Sequence, residues 1–483
     1  MKPFAAPSPF SFVLLGASGN LAKLKLYPAL YILALKKRFP AQYVIVGYGR
    51  TAFDEAGFRA LVEESVRAQL PEVNKKVLEE FLTHFQYVQG QYDSAADFSV
   101  LSEKLTSLEK EWKDAVRMVY LSIPPKIFSQ VLANMCAGGA HCTTIPFRCI
   151  VEKPVGHDLK SFEEIREQLH KHFKDEEIYL LDHYLGKEAV RNIYYLRFAN
   201  PVLERLFKNS LIHHVEVTAM ESYGLEGRAG YFEHTGTLRD MFQSHLLMMI
   251  GLLTMHVRET EAAIRESRLH AVGQLYIPPA ADLNDVVLQA QYANGKVHGE
   301  TVVGYREEDS IPETSRVNTF AAMKLMSRES RWQGVPFYLR SGKRLGKKET
   351  RISIQFQEPH AVGEGSAPNR LDIILQGEAG MRIHLQTKIG GTTPAFRSLL
   401  LEDPLVCIGD CLPEHGLLLL EAIHGKQTWF LTFDEVRTSW RLIDPIQHHL
   451  EKETTPLFTY PAGSTGPEEA DVWLGKDGVK WML

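Results

Sequence analysis

Asp182, His183, Tyr184 and Lys187 stand within six positions of one another, directly behind the apolar run Ile178-Tyr179-Leu180-Leu181. A carboxylate, an imidazole, a phenol and an ammonium can together accept a proton, donate hydrogen bonds and neutralise an anion. A phosphate dianion calls for that combination of several donors and positive charge. A strand ending at the carboxyl edge of a parallel sheet would deliver these groups into the ligand crevice of such a sheet. The alternative is a helix start with Lys187 and Glu188 in solvent, which the composition of the stretch alone slightly favours.

A second stretch with chemical content is GASGNLA, Gly16 to Ala22, which follows the apolar run SFVLL. Gly16 permits a tight turn, Gly19 lets the backbone approach a pyrophosphate, and Ala22 allows close helix packing. The helix opening here offers free N–H groups to phosphate. Gly16, Ala17, Ser18, Gly19, Asn20 and Leu21 are therefore expected to bind a dinucleotide, with a purely structural turn as the alternative. The next apolar run ends in VGYGRT, placing Arg50 where NAD enzymes commonly carry a carboxylate for the ribose 2′-hydroxyl. A guanidinium pairs with the oxygens of a 2′-phosphate through forked donors, so NADP is favoured over NAD. A solvated surface arginine is the other reading of Arg50, and the nearby Asp54 keeps NAD open as the weaker cofactor.

The elements that must position these residues follow from the hydrophobic pattern. SFVLLG, YVIVGY, FQYVQG, VRMVYLSI, FRCIVEKP and IYLLDHY read as strands separated by helical periods, the first helix bent near Pro28. This alternation predicts a doubly wound, Rossmann-type α/β parallel-sheet domain over residues 1–190. Over residues 191–483 the strand-like runs LIHHVEVTAM, VVLQAQY, KVHGETVVG, NTFAAMKLM, PFYLRSG, TRISIQF, LDIILQG and MRIHLQT follow with few long helices between them. They predict a larger α+β domain with a mainly antiparallel sheet. One helix, GTLRDMFQSHLLMMIGLLTM, lies near its start.

Composition narrows the function classes. The 483 residues exceed what one core usually supports, and the formal net charge of -5 comes with no sustained basic stretch, so nucleic acid is not an expected partner. No run of eighteen apolar residues occurs, so no membrane span is expected. The start MKPFAAPSPFSFVLLG has too short an apolar run for a signal peptide. Cys136, Cys142, Cys149, Cys407 and Cys411 are odd in number and lack zinc-knuckle spacing. They are read as reduced thiols of a cytoplasmic protein. His213 and His214 are adjacent on a predicted strand and face opposite sides, and no metal site is expected.

GASGNLAK, GYGRT, SIPPKIF, EKPVG, DHYLGKE, EGRAGYF, LRDMFQSHLL and YLRSGKRLGKKETRISIQF occur in this order between Val13 and Phe356. Together they resemble the glucose-6-phosphate dehydrogenase family, to which DHYLGKE is highly specific. The chain after about Gln357 carries less of the pattern, and Asn20 stands where the family usually has Asp. The resemblance implies oxidation of D-glucose 6-phosphate by NADP⁺ to 6-phospho-D-glucono-1,5-lactone, the entry to the oxidative pentose phosphate pathway. Nineteen histidines leave composition unable to choose a base. The resemblance implies His245, with Asp182 orienting it and stabilising its charged form. It implies that His183, Tyr184 and Lys187 hold the 6-phosphate and that Lys153 lies between cofactor and sugar. Glu221 and Asp240 would accept hydrogen bonds from sugar hydroxyls, Lys343 and Lys348 would lie near the substrate, and Tyr120 would contact the cofactor. Plainer readings stand beside these: a core tyrosine for Tyr120, a solvated loop for the lysines, a packing role for a helical histidine. On an ideal α-helix Asp240 and His245 are about 140° apart, so they are expected to flank one crevice without sharing a narrow stripe. A homodimer or homotetramer built through the large sheet is also implied. Two other functions differ in kind: a related dehydrogenase of free sugars, and an inactive NADP-binding sensor, which would have lost Asp182, His245 or the phosphate lysines.

Overall fold

The computed structural model describes residues 7–141, 145–359, 365–392, 395–405 and 407–482; Cys142 lies outside them. β1 (Phe10–Leu15), β2 (Tyr43–Gly49), β3 (Phe85–Gln89), β4 (Val116–Leu121), β5 (Phe147–Glu152) and β6 (Ile178–Leu181) form one parallel sheet in the order β3-β2-β1-β4-β5-β6. The order reverses at β1, so ligands of such a sheet bind beyond the carboxyl ends of β1 and β4. Every residue of β1 and β4 is buried. Helices cover both faces of a sheet of this kind, and its strands therefore read as apolar runs. Their polar members are matched: Ser11 donates to Glu109 at 2.5 Å and Arg117 Nε donates to the same carboxylate at 3.1 Å.

Side chains mark where the crossover helices begin. Asp54 caps Glu55–Gln69, Ser94 caps Ala95–Glu109, and Asp158 with Ser161 forms a capping box on Leu159–His170. Each satisfies amides that the first helical turn leaves unpaired. Two details differ from the sequence reading. A helix at Lys75–Thr83, which the sequence reading passed over, precedes β3; it is nine residues long and buries Leu78 and Phe81, three positions apart on one face. The first helix is π-helical over Ala22–Leu26 before it becomes α-helical at Tyr27–Leu35, with Pro28 in the first α turn. Helical backbone is continuous from Asn20, so Pro28, which has no N–H to donate, lies in the helix interior directly after the wider π-helical turn.

The chain forms two compact units, Met1–Glu188 with Cys407–Phe433, and Ala189–Val406 with Asp434–Leu483. A single division near residue 190 does not capture the return of Cys407–Phe433 to the first unit. Backbone and side-chain bonds within that unit fix the return. Leu431 N–H donates to the Leu180 carbonyl at 2.9 Å, and Arg148 Nη1 donates to the carbonyls of Ala422 and Ile423, each at 2.7 Å.

In the second unit the strands are β7 (Ile212–Met220), β8 (Leu275–Tyr276), β9 (Val287–Ala293), β10 (Gly295–Val297), β11 (Glu300–Val302), β12 (Phe320–Ser327), β13 (Phe337–Gly342), β14 (Glu349–Phe356), β15 (Arg370–Gln376), β16 (Gly380–Lys388), β17 (Phe396–Pro404) and β18 (Phe458–Pro461). Ten of them form a mainly antiparallel sheet in the order β17-β16-β15-β14-β7-β13-β12-β9-β18, with β8 beside β12. The run KVHGETVVG, expected as one strand, is instead the two-stranded hairpin β10-β11 turning at His298-Gly299. A core of Met220, Phe232, Tyr292, Phe320, Tyr338, Tyr460 and Trp473 packs on the sheet.

The cysteine reading is corrected in one place. Cys407 and Cys411 form a disulfide, because the turn between them brings their Cα atoms to 5.7 Å, inside the range a disulfide spans. Cys149 is a free thiol. Among the described residues no helix is long and apolar enough to cross a membrane.

Candidate functional site

β1 runs directly into Gly16, whose φ of +85° lies in the region that side-chain-bearing residues avoid. A β-carbon there would fall 2.1 Å from the Ser122 carbonyl oxygen, so alanine cannot replace it without moving the turn. The Gly16 N–H donates to the Tyr48 carbonyl at 3.1 Å, and the Gly19 N–H to the Gly16 carbonyl at 2.9 Å. Ala17 is fully buried, and the Tyr27 hydroxyl donates to its carbonyl at 2.6 Å. Helical backbone begins at Asn20, which is exposed, with Ser18, Gly19 and Leu21 half-buried around it. A bare glycine turn at a helix start fits a dinucleotide pyrophosphate.

Arg50 is exposed just beyond β2 and flanks this turn, since the Ser18 and Thr51 hydroxyls meet at 3.1 Å. The Asp54 carboxylate is committed elsewhere: it accepts the Gly57 N–H at 2.7 Å as a helix cap. Tyr92, which the sequence reading passed over, lies against the Gly16 backbone and near Arg50. Burial raises its pKa while those two neighbours pull it back down. An aromatic residue three positions past the end of β3 carried no signal of that contact.

Lys153 is half-buried in the turn after β5. Tyr120 is fully buried on β4 and donates its hydroxyl to Glu152. Burial, then the Glu152 charge, holds that phenol well above its usual pKa.

The residues that stood out in sequence share one turn of the first unit. Asp182 is fully buried and its Oδ1 accepts the Tyr184 N–H at 2.9 Å, which bends the chain into the single helical turn His183–Gly186. The Lys187 ammonium sits 3.6 Å from the centre of the Tyr184 ring, a cation–π contact. The His183 ring stands edge-on to Tyr184 with centroids 5.1 Å apart. Imidazole, phenol and ammonium thus gather on the turn that the Asp182 carboxylate caps.

The second unit gathers the others around β7 and β13. Lys343 Nζ lies 2.7 Å from Glu221 Oε2, and the Tyr223 hydroxyl donates to Glu221 Oε1 at 2.5 Å. Lys348 is exposed, with its ammonium 5.3 Å from the Tyr223 ring. Tyr223 therefore joins both lysines to Glu221; its place two residues past Glu221 was its only sequence signal. Asp240 and His245 lie on Leu238–Leu246, a π-helix that continues as the α-helix Leu247–Thr254. The Leu247 N–H reaches the Phe242 carbonyl five residues back. In such a helix residues i and i+5 stand one above the other, so the α-helical expectation of about 140° between Asp240 and His245 does not hold. The wider turn brings them toward one face. His245 is buried, and Asp240 accepts a long hydrogen bond of 3.5 Å from Tyr231.

Two family models match the chain: glucose-6-phosphate dehydrogenase, NAD binding domain, over residues 13–192, and glucose-6-phosphate dehydrogenase, C-terminal domain, over residues 194–482. A glucose-6-phosphate 1-dehydrogenase of Chlamydia pneumoniae is 35% identical over 493 aligned residues, covering 98% of this chain and 96% of the relative. One from Bacillus subtilis (strain 168) is 33% identical, covering 97% of each. A solved glucose-6-phosphate dehydrogenase in complex with its substrate glucose-6-phosphate superposes with a TM-score of 0.89 at 30% identity, covering 99% of this chain and all of the other.

Proposed function

The chain belongs to the glucose-6-phosphate dehydrogenase family, and from that premise we propose how its residues divide the work of oxidising D-glucose 6-phosphate. The reaction converts the sugar phosphate and a nicotinamide cofactor to 6-phospho-D-glucono-1,5-lactone and the reduced cofactor, the first step of the oxidative pentose phosphate pathway. The observation that carries it is the pair of family models spanning residues 13–192 and 194–482.

His183, Tyr184 and Lys187 hold the 6-phosphate through charge-assisted hydrogen bonds. Glu221 and Asp240 accept hydrogen bonds from sugar hydroxyls, and Lys343 and Lys348 supply positive charge beside them. His245 takes the C1 hydroxyl proton as the C1 hydrogen departs with its electron pair, leaving the lactone carbonyl. Asp182 orients that imidazole and stabilises the imidazolium. When bound, the nicotinamide accepts the hydride. Gly16 to Leu21 cradle its pyrophosphate, and Lys153 lies between cofactor and sugar.

NADP is the preferred cofactor. The exposed Arg50 beside the glycine turn and the capping role of Asp54 support this, because no free acid stands at the tip of β2. Arg50→Ala should raise KM for NADP⁺ about 10- to 100-fold, as expected for lost charge-assisted bonds, and barely change KM for NAD⁺. Equal losses for both cofactors would show that Arg50 does not bind a 2′-phosphate.

A cytoplasmic homodimer or homotetramer completes the reading. Leu399, Leu400 and Leu401, exposed on the outer strand β17, support assembly through the large sheet. The deciding experiment is an absorbance assay of purified protein with glucose 6-phosphate or glucose against NADP⁺ or NAD⁺. Turnover should be fastest for glucose 6-phosphate with NADP⁺. Equal turnover of free glucose would remove the phosphate assignment.

A further inference from the structure

The Glu152 carboxylate at the end of β5 collects two donors, the Tyr120 hydroxyl and His415 Nε2, the latter at 3.3 Å. Both donors are buried. A buried network of this kind is rigid when its members are satisfied and costly when one is removed. The proposed reaction gives neither Glu152 nor His415 a role.

His415 lies in the first turn of the helix Glu414–Ile423, in the same unit as the phosphate turn. That helix presses on the turn where the turn has no side chain. A β-carbon on Gly186 would fall 2.4 Å from the Glu414 carbonyl oxygen and 2.9 Å from Leu418 Cδ1. The His415 and His183 rings face each other in parallel, within 6°, at a centroid distance of 6.4 Å. Donation to Glu152 makes Nε2 the protonated nitrogen and holds the ring in one orientation. Glu152 thereby anchors, through His415, the helix end against which His183–Gly186 is seated.

We propose that His415 is a positioning residue for the sugar-phosphate subsite: anchored by Glu152, it fixes the helix end that seats the His183–Gly186 turn. This rests on the reading that His183 and Lys187 hold the 6-phosphate. His415 touches neither cofactor nor the reacting carbon in that reading, so its loss is felt in substrate affinity and leaves the chemical step intact.

The test compares two variants. His415→Phe keeps a flat ring and removes the donor; His415→Gln keeps an N–H donor of similar reach. His415→Phe should raise KM for glucose 6-phosphate about 10-fold, the scale of one lost charge-assisted hydrogen bond. The same variant should leave kcat, KM for NADP⁺ and KM for free glucose within about twofold of wild type. His415→Gln should stay near wild type in all four. A Phe variant with unchanged KM for glucose 6-phosphate, a uniform rise in every constant, or a Gln variant as impaired as Phe would overturn the proposal. If thermal melting shows the Phe variant unfolded, Glu152→Met, which keeps the side-chain length but has no oxygen to accept from His415, carries the same expected rise and the same contrary result. His183→Ala reports on the underlying reading separately. An unchanged KM there removes the phosphate assignment itself. A raised KM in His183→Ala with an unmoved KM in His415→Phe removes only the positioning role.

Discussion

His245→Asn should lose about 10³- to 10⁴-fold in kcat while still binding glucose 6-phosphate, because a positioned general base contributes on that scale and asparagine cannot take a proton. The substitution suits the site. His245 is buried within the π-helix Leu238–Leu246, and an amide of similar length keeps polar contacts without opening a large cavity. Thermal unfolding should therefore change little, which separates loss of the base from loss of the fold. Isothermal calorimetry with glucose 6-phosphate checks binding. Turnover near wild type in the variant would remove His245 as the base.

Lys187→Ala should lower kcat/KM for glucose 6-phosphate by about 100-fold, chiefly through KM, and leave the slow oxidation of free glucose almost unchanged. The ammonium lies over the Tyr184 ring, so the substitution removes both the proposed phosphate partner and a cation–π contact with that ring. Hydrogen bonds involving a charged group contribute about 1.5–3 kcal/mol each, which reaches a factor of 100 at the upper end. Steady-state kinetics with both sugars makes the comparison. Equal losses for phosphorylated and free sugar would mean that the turn binds something other than the phosphate.

Some of this arrangement was legible in the residues and some was not, for physical reasons. β1 and β4 announce a parallel sheet because strands buried on both faces are apolar along nearly their whole length, with only Ser11 and Arg117 interrupting the runs. The clustering of Asp182 to Lys187 was visible because all four groups lie on a single short turn, where nearness in sequence is nearness in space. Glu221 and Lys343 are 122 positions apart, and only the pairing of β7 with β13 joins them. No composition marks a π-helix, so the α-helical angle between Asp240 and His245 was the default, and it was wrong. The return of Cys407–Phe433 to the first unit depends on donors such as Arg148 finding distant carbonyls, which no local pattern records. His415, between Glu152 and His183, was invisible for the same reason.

The claim that Asp182 and His245 act as one acid–base pair is tested most directly by a double-mutant cycle on kcat/KM with Asp182→Asn, His245→Asn and the combined variant. Residues that work as a unit are strongly non-additive, so the double variant should be no slower than His245→Asn alone. Losses that multiply would show two independent contributions and contradict the pairing.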